Sequence, residues 1–216
     1  MKRFYFQLLP WFRRVNATQA YWEQRAKKWG LRAVLNLGHD AEAYDSITKY
    51  QKALLLPELS TRLNGTEKIT LDLGCGPGRF TGELAKLTGR AVGVDPIGDL
   101  LKLAPPGPGV EYRRMTNNQI PVPTASADVV WICLVLGGLV RPIDLKKVAD
   151  EIDRVLAATG LLFLVENTHP KSDEKHWAYR SIHEYKALFP NVELEKVLEY
   201  DDLGERISVL AGRRQS

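Results

Sequence analysis

Three glycines at alternate positions, Gly74, Gly76 and Gly78, follow a short apolar run over 69–73 and precede a helical pattern. Without side chains they let the backbone turn tightly and come close to a ligand. The free amides and positive dipole end of the helix beyond suit a carboxylate or a phosphate. Asp95 closes the next apolar run, 91–94, about where an acid can hold two ribose hydroxyls. Together these residues point to a nucleoside-containing ligand at the carboxyl ends of parallel strands.

A second set could move protons. Glu166-Asn167-Thr168-His169-Pro170 follows the apolar run 161–165 and should open on the same rim as the glycine loop. His169 is the first candidate base, with Glu166 and His176 beside it, for an acceptor that must lose a proton. His176-Trp177-Ala178-Tyr179-Arg180 suits a wall on the acceptor side. Cys75 and Cys133 are too few for a disulfide framework and lack metal-ligand spacing, so no metal site is expected. Both read as reduced, which suits a cytoplasmic setting.

From Lys68 onward, strand-like runs alternate with amphipathic helices, implying right-handed crossovers and a parallel sheet covered on both faces. Strands are predicted over 69–73, 91–94, 110–113, 129–135 and 161–165. A helix carries Phe80, Leu84 and Leu87 on one face, and a helical piece spans 98–103. Pro142 opens a helix whose Leu145, Val148, Ala149, Ile152, Val155 and Leu156 form one apolar stripe, with a turn ending at Gly160. After a helix over 181–188, runs over 192–200 and 206–211 flank the turn Asp201-Asp202-Leu203-Gly204. A connection that short makes them antiparallel. The fold class is α/β: a Rossmann-like, seven-stranded, mostly parallel sheet with an antiparallel C-terminal hairpin and an N-terminal helical cap.

The 216 residues suit one domain with an appendage: a basic arm and helical cap over 1–66, then the ligand-binding domain over 67–216. The cap is predicted as a helix that Asn16 caps, running to Trp29, and another from Ala41 to Leu63 that Pro57 kinks or breaks. Residues 1–35 hold eight basic residues against Glu23 alone, so they carry +7 of a net +4. The basic character belongs to that end. The stretch 4–12 is too short and interrupted to cross a membrane. It suits a membrane surface or a partner, or packing on the domain or on a twin subunit in a homodimer.

Leu71-Asp72-Leu73-Gly74-Cys75-Gly76-Pro77-Gly78 resembles the first motif of class I S-adenosylmethionine (SAM)-dependent methyltransferases, and Val92-Gly93-Val94-Asp95 resembles their second. Ala127-Asp128-Val129-Val130, the helix after Pro142 and Gly160-Leu161-Leu162-Phe163 are similar to the later blocks. The likeness covers roughly 68–212. It implies SAM as the cofactor, with Gly74, Cys75, Gly76 and Gly78 along its methionine part and Asp72 positioning the amino end. It also implies Asp95 on the ribose, Pro96 and Ile97 flanking the adenine, and Cys133 beside the sulfonium. Two departures stand out. The acid that many relatives use on the adenine amine is absent, leaving Thr116 or Asn117, and so is a histidine near Gly137-Gly138.

The implied reaction is methyl transfer to a small molecule or glycan, on an oxygen. No Asn-Pro-Pro-Tyr sequence follows the fourth strand, which disfavours amino methylation of bases, and no paired acids follow it for a metal-dependent route. No nucleic-acid module is evident. Two alternatives stay open: a nicotinamide-dependent oxidoreductase, and a SAM-binding protein without turnover.

Overall fold

A computed structural model describes residues 17–215, so Asn16 and most of the basic arm lie outside the described residues. Seven strands form one sheet in the order β3-β2-β1-β4-β5-β7-β6. They are β1 (Ile69–Leu73), β2 (Arg90–Asp95), β3 (Val110–Arg114), β4 (Ala127–Cys133), β5 (Leu156–Asn167), β6 (Glu195–Asp202) and β7 (Glu205–Arg213). The first five run parallel, and β7 pairs antiparallel with both β5 and β6. β4 is apolar except for Asp128, and β1 is buried from Thr70 to Leu73, as strands covered by helices on both faces are.

One layer is built by α5 (Pro142–Val155) and α6 (Ile182–Leu188). The predicted stripe Leu145, Val148, Ala149, Ile152 and Val155 packs there on Leu71, Val130 and Leu162. The other layer joins α2 (Tyr44–Ser60) and α3 (Thr81–Thr88) to the sheet, with Leu55, Leu59, Phe80 and Leu84 around Trp131 and Phe163. The Trp131 and Phe163 rings stack at 4.8 Å. α1 (Ala17–Trp29) reaches the domain through Ala26, which packs with Ile97 and Leu100 of the α4 region (Gly98–Leu101).

Four sequence expectations change. α2 continues through Pro57 for three residues, because Leu59 is fully buried and holds the last turn in place. In α3 the buried face is Thr81, Leu84, Ala85 and Thr88, and Leu87 points outward. β5 begins at Leu156, directly after α5. Leu156 pairs with Ala127, and a register shift carries the ladder on to Leu161, so Gly160 lies within the strand and not at the end of a turn. The hairpin turn is only Leu203-Gly204: Asp201 and Asp202 already pair with Arg206 and Glu205, and both turn residues have positive φ.

Candidate active site

Strand order reverses between β1 and β4: the chain leaves β1 toward β2 and β3, then returns to the other side. A crevice opens at the carboxyl ends of the strands at such a point. The glycine loop lies there. Gly74 and Cys75 donate their amides to the Val94 carbonyl at 2.7 and 3.2 Å, and Gly78 donates to Cys75 at 2.9 Å. Asp95 completes the turn, accepting the Gly76 amide at 2.9 Å and the Ile97 amide at 2.7 Å. Burial pushes its carboxyl up to about 6 even though those amides favour the charged form. Asp72 accepts the Thr81 hydroxyl at 2.6 Å. Its burial, with Asp95 nearby, lifts it to about 7 against the opposing Thr81 bond and Arg79 charge.

A cavity enclosing about 980 Å³ of empty space, its open mouth included, sits over this loop. Its walls include Asp72, Gly74, Cys75, Asp95, Pro96, Ile97 and Cys133, so seven of the predicted cofactor residues meet in one place. Burial pushes the Cys133 thiol up to about 12 and raises that of Cys75, so both are neutral. Gly76 and Gly78 shape the loop without lining the cavity: Gly76 faces Val34, and Gly78 faces the Tyr112 hydroxyl. Thr116 and Asn117 also stay outside the lining. They belong to a tight turn in which Asn117 and Asn118 both have positive φ, and it is Asn118 that reaches the wall. Asn118 donates to Asp144 at 3.0 Å. The roof is formed by Thr18, Gln19 and Trp22 of α1.

A second cavity, of about 1080 Å³ measured in the same way, adjoins the first. Trp22, Val34 and Leu134 belong to both walls. It holds His176, whose ring stacks on Tyr21 at 3.9 Å. Burial, and then the Lys175 charge, lower the His176 pKa. Asp202 is also in this wall, 2.6 Å from His39 Nε2.

The other two predicted proton carriers lie elsewhere. His169 lines a third depression with His183 and Arg206, which shares no residue with the first cavity and only Lys171 and Tyr179 with the second. Glu166 faces inward. Its carboxylate accepts the amides of Val135, Leu136 and Gly137 at 2.8, 2.6 and 3.3 Å, and the Tyr185 hydroxyl at 3.3 Å. It therefore shapes the loop after β4. The place of the missing histidine is filled by indoles: Trp177 packs on Gly137 and Trp22 on Gly138. Among the described residues no group of three or more His, Cys, Asp or Glu side chains is arranged for a metal.

Arg79, Asn118, Gln19 and the His39–Asp202 pair could not be picked out from the sequence. Only Arg79 left a signal, being a cation placed directly after an anion-suited loop.

Comparison with known proteins agrees with this geometry. A family profile described as a methyltransferase domain matches residues 71–164. Phosphoethanolamine N-methyltransferase 1 of Triticum aestivum is 24% identical over 196 residues, covering 86% of this chain and 37% of that protein. The ubiquinone biosynthesis O-methyltransferase of Rhizobium rhizogenes is 30% identical over 152 residues, covering 62% of this chain and 58% of the relative. The chain thus spans well under two thirds of either relative's length. Among solved structures, the YcgJ protein of Bacillus subtilis superposes with a TM-score of 0.64 at 15% identity, over 77% of this chain and 99% of that one. Phosphoethanolamine N-methyltransferase 1 of Haemonchus contortus, solved with phosphoethanolamine and S-adenosylhomocysteine, gives 0.67 at 16% identity over 92% of this chain and 48% of its own. At those identities the structures share the fold.

Proposed function

We propose that this chain is a class I SAM-dependent methyltransferase that moves a methyl group from SAM to a small-molecule acceptor, a reading supported by the methyltransferase-domain profile over residues 71–164. The observation carrying this reading is the paired cavities: a crevice over the glycine loop, with Asp95 in its wall, meets a second one holding His176 and Asp202 at Trp22, Val34 and Leu134. The SAM sulfonium supplies an electrophilic methyl group, and attack on it is in line, so the protein's main task is alignment and exclusion of water. The residues present fit the cofactor. Asp95 has acceptor capacity for ribose hydroxyls beyond its two amide bonds, and Asp72 stands where an ammonium would restore its charge. Asn118 is the candidate for the adenine edge. The nicotinamide alternative loses its support, because the glycine spacing and the β5-β7-β6 order both match the methyltransferase pattern.

Calorimetry with S-adenosylhomocysteine, followed by methyl-release assays over an acceptor panel, tests the proposal. No binding sinks it; binding without release across the panel favours the non-catalytic alternative. A linked proton offers a second check. The neutral Asp72 favours folding of the unliganded chain at pH below the ordinary value of 3.8, and that contribution is lost as pH rises through about 7. A cofactor ammonium against Asp72 pulls the pKa back down, so binding near pH 7 should release about half a proton per site. Titrations in buffers of different ionisation enthalpy measure this, and Asp72→Asn should eliminate it.

A hydroxyl acceptor needs a base, and His176 is the predicted proton carrier that the second cavity contains. Its lowered pKa keeps it neutral at physiological pH, ready to accept a proton. His176→Ala is expected to cut turnover about a hundredfold or more with cofactor affinity unchanged. Unchanged turnover would reject the role and point to an acceptor, such as a neutral amine, that needs no base.

A further inference from the structure

Four of the eight large apolar side chains exposed among the described residues lie on one strip of the cap and the hairpin turn beside it. Trp29, Leu31 and Leu37 are each more than a third exposed, and Leu203 is half exposed. Contacts join them. Arg32 lies 5.3 Å from the Trp29 ring and donates to the His39 carbonyl at 2.8 Å. Gly38, beside His39, approaches Leu203 so closely that a Cβ on it would stand 2.9 Å from Leu203 Cδ1. Single exposed apolar residues are ordinary, whereas a gathered patch marks a surface that meets something.

The strip is also basic. Lys28 lies 4.8 Å from the same indole, so two cations border one ring. Lys27, Lys28 and Arg32 sit close together, and residues 17–39 contain Glu23 as their only acid. Glu23 is paired with Arg114 at 3.7 Å. Asp99, in the field of Lys27, is held by Lys102 at 2.8 Å. The next acids along the chain, Asp40 and Glu42, lie beyond His39. The sixteen residues before α1 add Lys2, Arg3, Arg13 and Arg14, five aromatic side chains and no acid.

Cations and apolar groups interleaved on one surface fit a bilayer of anionic lipid. Ammonium and guanidinium groups meet headgroup phosphates, an indole settles at headgroup depth, and leucines reach the acyl boundary. A nucleic acid would use the cations and leave the leucines in water. We propose that this strip, with the basic residues ahead of α1, docks the protein on the surface of an anionic membrane. Leu37 also lines the second cavity, so the docked face reaches that cavity's rim. Docking does not depend on the methyl-transfer chemistry proposed above.

Vesicles of phosphatidylcholine alone, and of phosphatidylcholine with an equal part of phosphatidylglycerol, are sedimented with the full chain. The anionic vesicles should bind at least about tenfold more tightly, and the difference should fade in high salt. Trp29→Ser/Leu31→Ser should weaken anionic-vesicle binding about tenfold or more. Lys28→Glu/Arg32→Glu should weaken it by a similar factor. Leu203→Asn places a residue type at ease with positive φ in the turn, so it keeps the fold and should weaken binding severalfold. Thermal midpoints check that each variant folds, and if the paired variants do not, Leu203→Asn decides alone. Equal binding to both kinds of vesicle, or wild-type binding by the folded variants, overturns the proposal. No binding to vesicles, with a dimer of the free chain that the same substitutions break, would assign the strip to a second copy and overturn it too.

Discussion

Alanine at Gly74 is expected to lower S-adenosylhomocysteine affinity about a hundredfold or more, through two separable effects. Gly74 has φ +71°, where an L side chain costs about 1–2 kcal/mol. A Cβ there would also run into Val135 Cγ2, and overpacking of this kind costs about 1–3 kcal/mol. Val135 has little freedom to yield, because its own amide is fixed to Glu166 at 2.8 Å. The double variant Gly74→Ala/Val135→Ala removes the collision and leaves the backbone strain, so it should regain about tenfold in affinity. A double variant that binds no better than the single one would show the steric account to be wrong.

The largest stability loss is expected at Glu166. It is 1% exposed, and Glu166→Ala would strand three amides and the Tyr185 hydroxyl in the interior. Each stranded group costs about 1–3 kcal/mol, and some regain water, so the whole should come to about 3–5 kcal/mol. Urea unfolding at constant slope measures it as a shift of midpoint. Glu166→Gln keeps one oxygen for Val135 and Leu136 but turns an N–H toward the Gly137 amide, so about 1–2 kcal/mol is expected. Equal losses in the two variants would mean that packing, and not hydrogen bonding, gives Glu166 its importance. Burial raises this carboxyl to about 7, against the Leu136, Val135 and Gly137 amides that favour its charged form.

What the sequence made legible was local. Alternating apolar runs located every strand, and the spacing of Gly74, Gly76, Gly78 and Asp95 located the turn beneath the first cavity, because each signal lies within one βα unit. What it hid depends on distant partners. Glu166 looked like a free carboxylate on a rim, yet its acceptors are consumed by amides about thirty residues earlier in the chain. His169 stood first as a base and His176 behind it, yet the position of α1 puts His176 in a cavity with Tyr21. Arg79 was adjacent to the motif, but its direction is set by Thr48 and Gln51 on another helix. Leu87 had the right spacing for a buried face and still points outward, because the helix is rotated to bury Thr81 and Thr88.

Trp22, Val34 and Leu134 form a party wall between the two cavities, and that has a thermodynamic consequence. A ligand that fixes the indole from one side sets the surface met by a ligand on the other. Any free energy by which the methyl donor tightens the acceptor is then returned in equal measure, since such coupling is reciprocal. Under the proposed reaction, a demethylated cofactor held over the glycine loop would meet the same wall, and its departure would be linked to the arrival of the next acceptor.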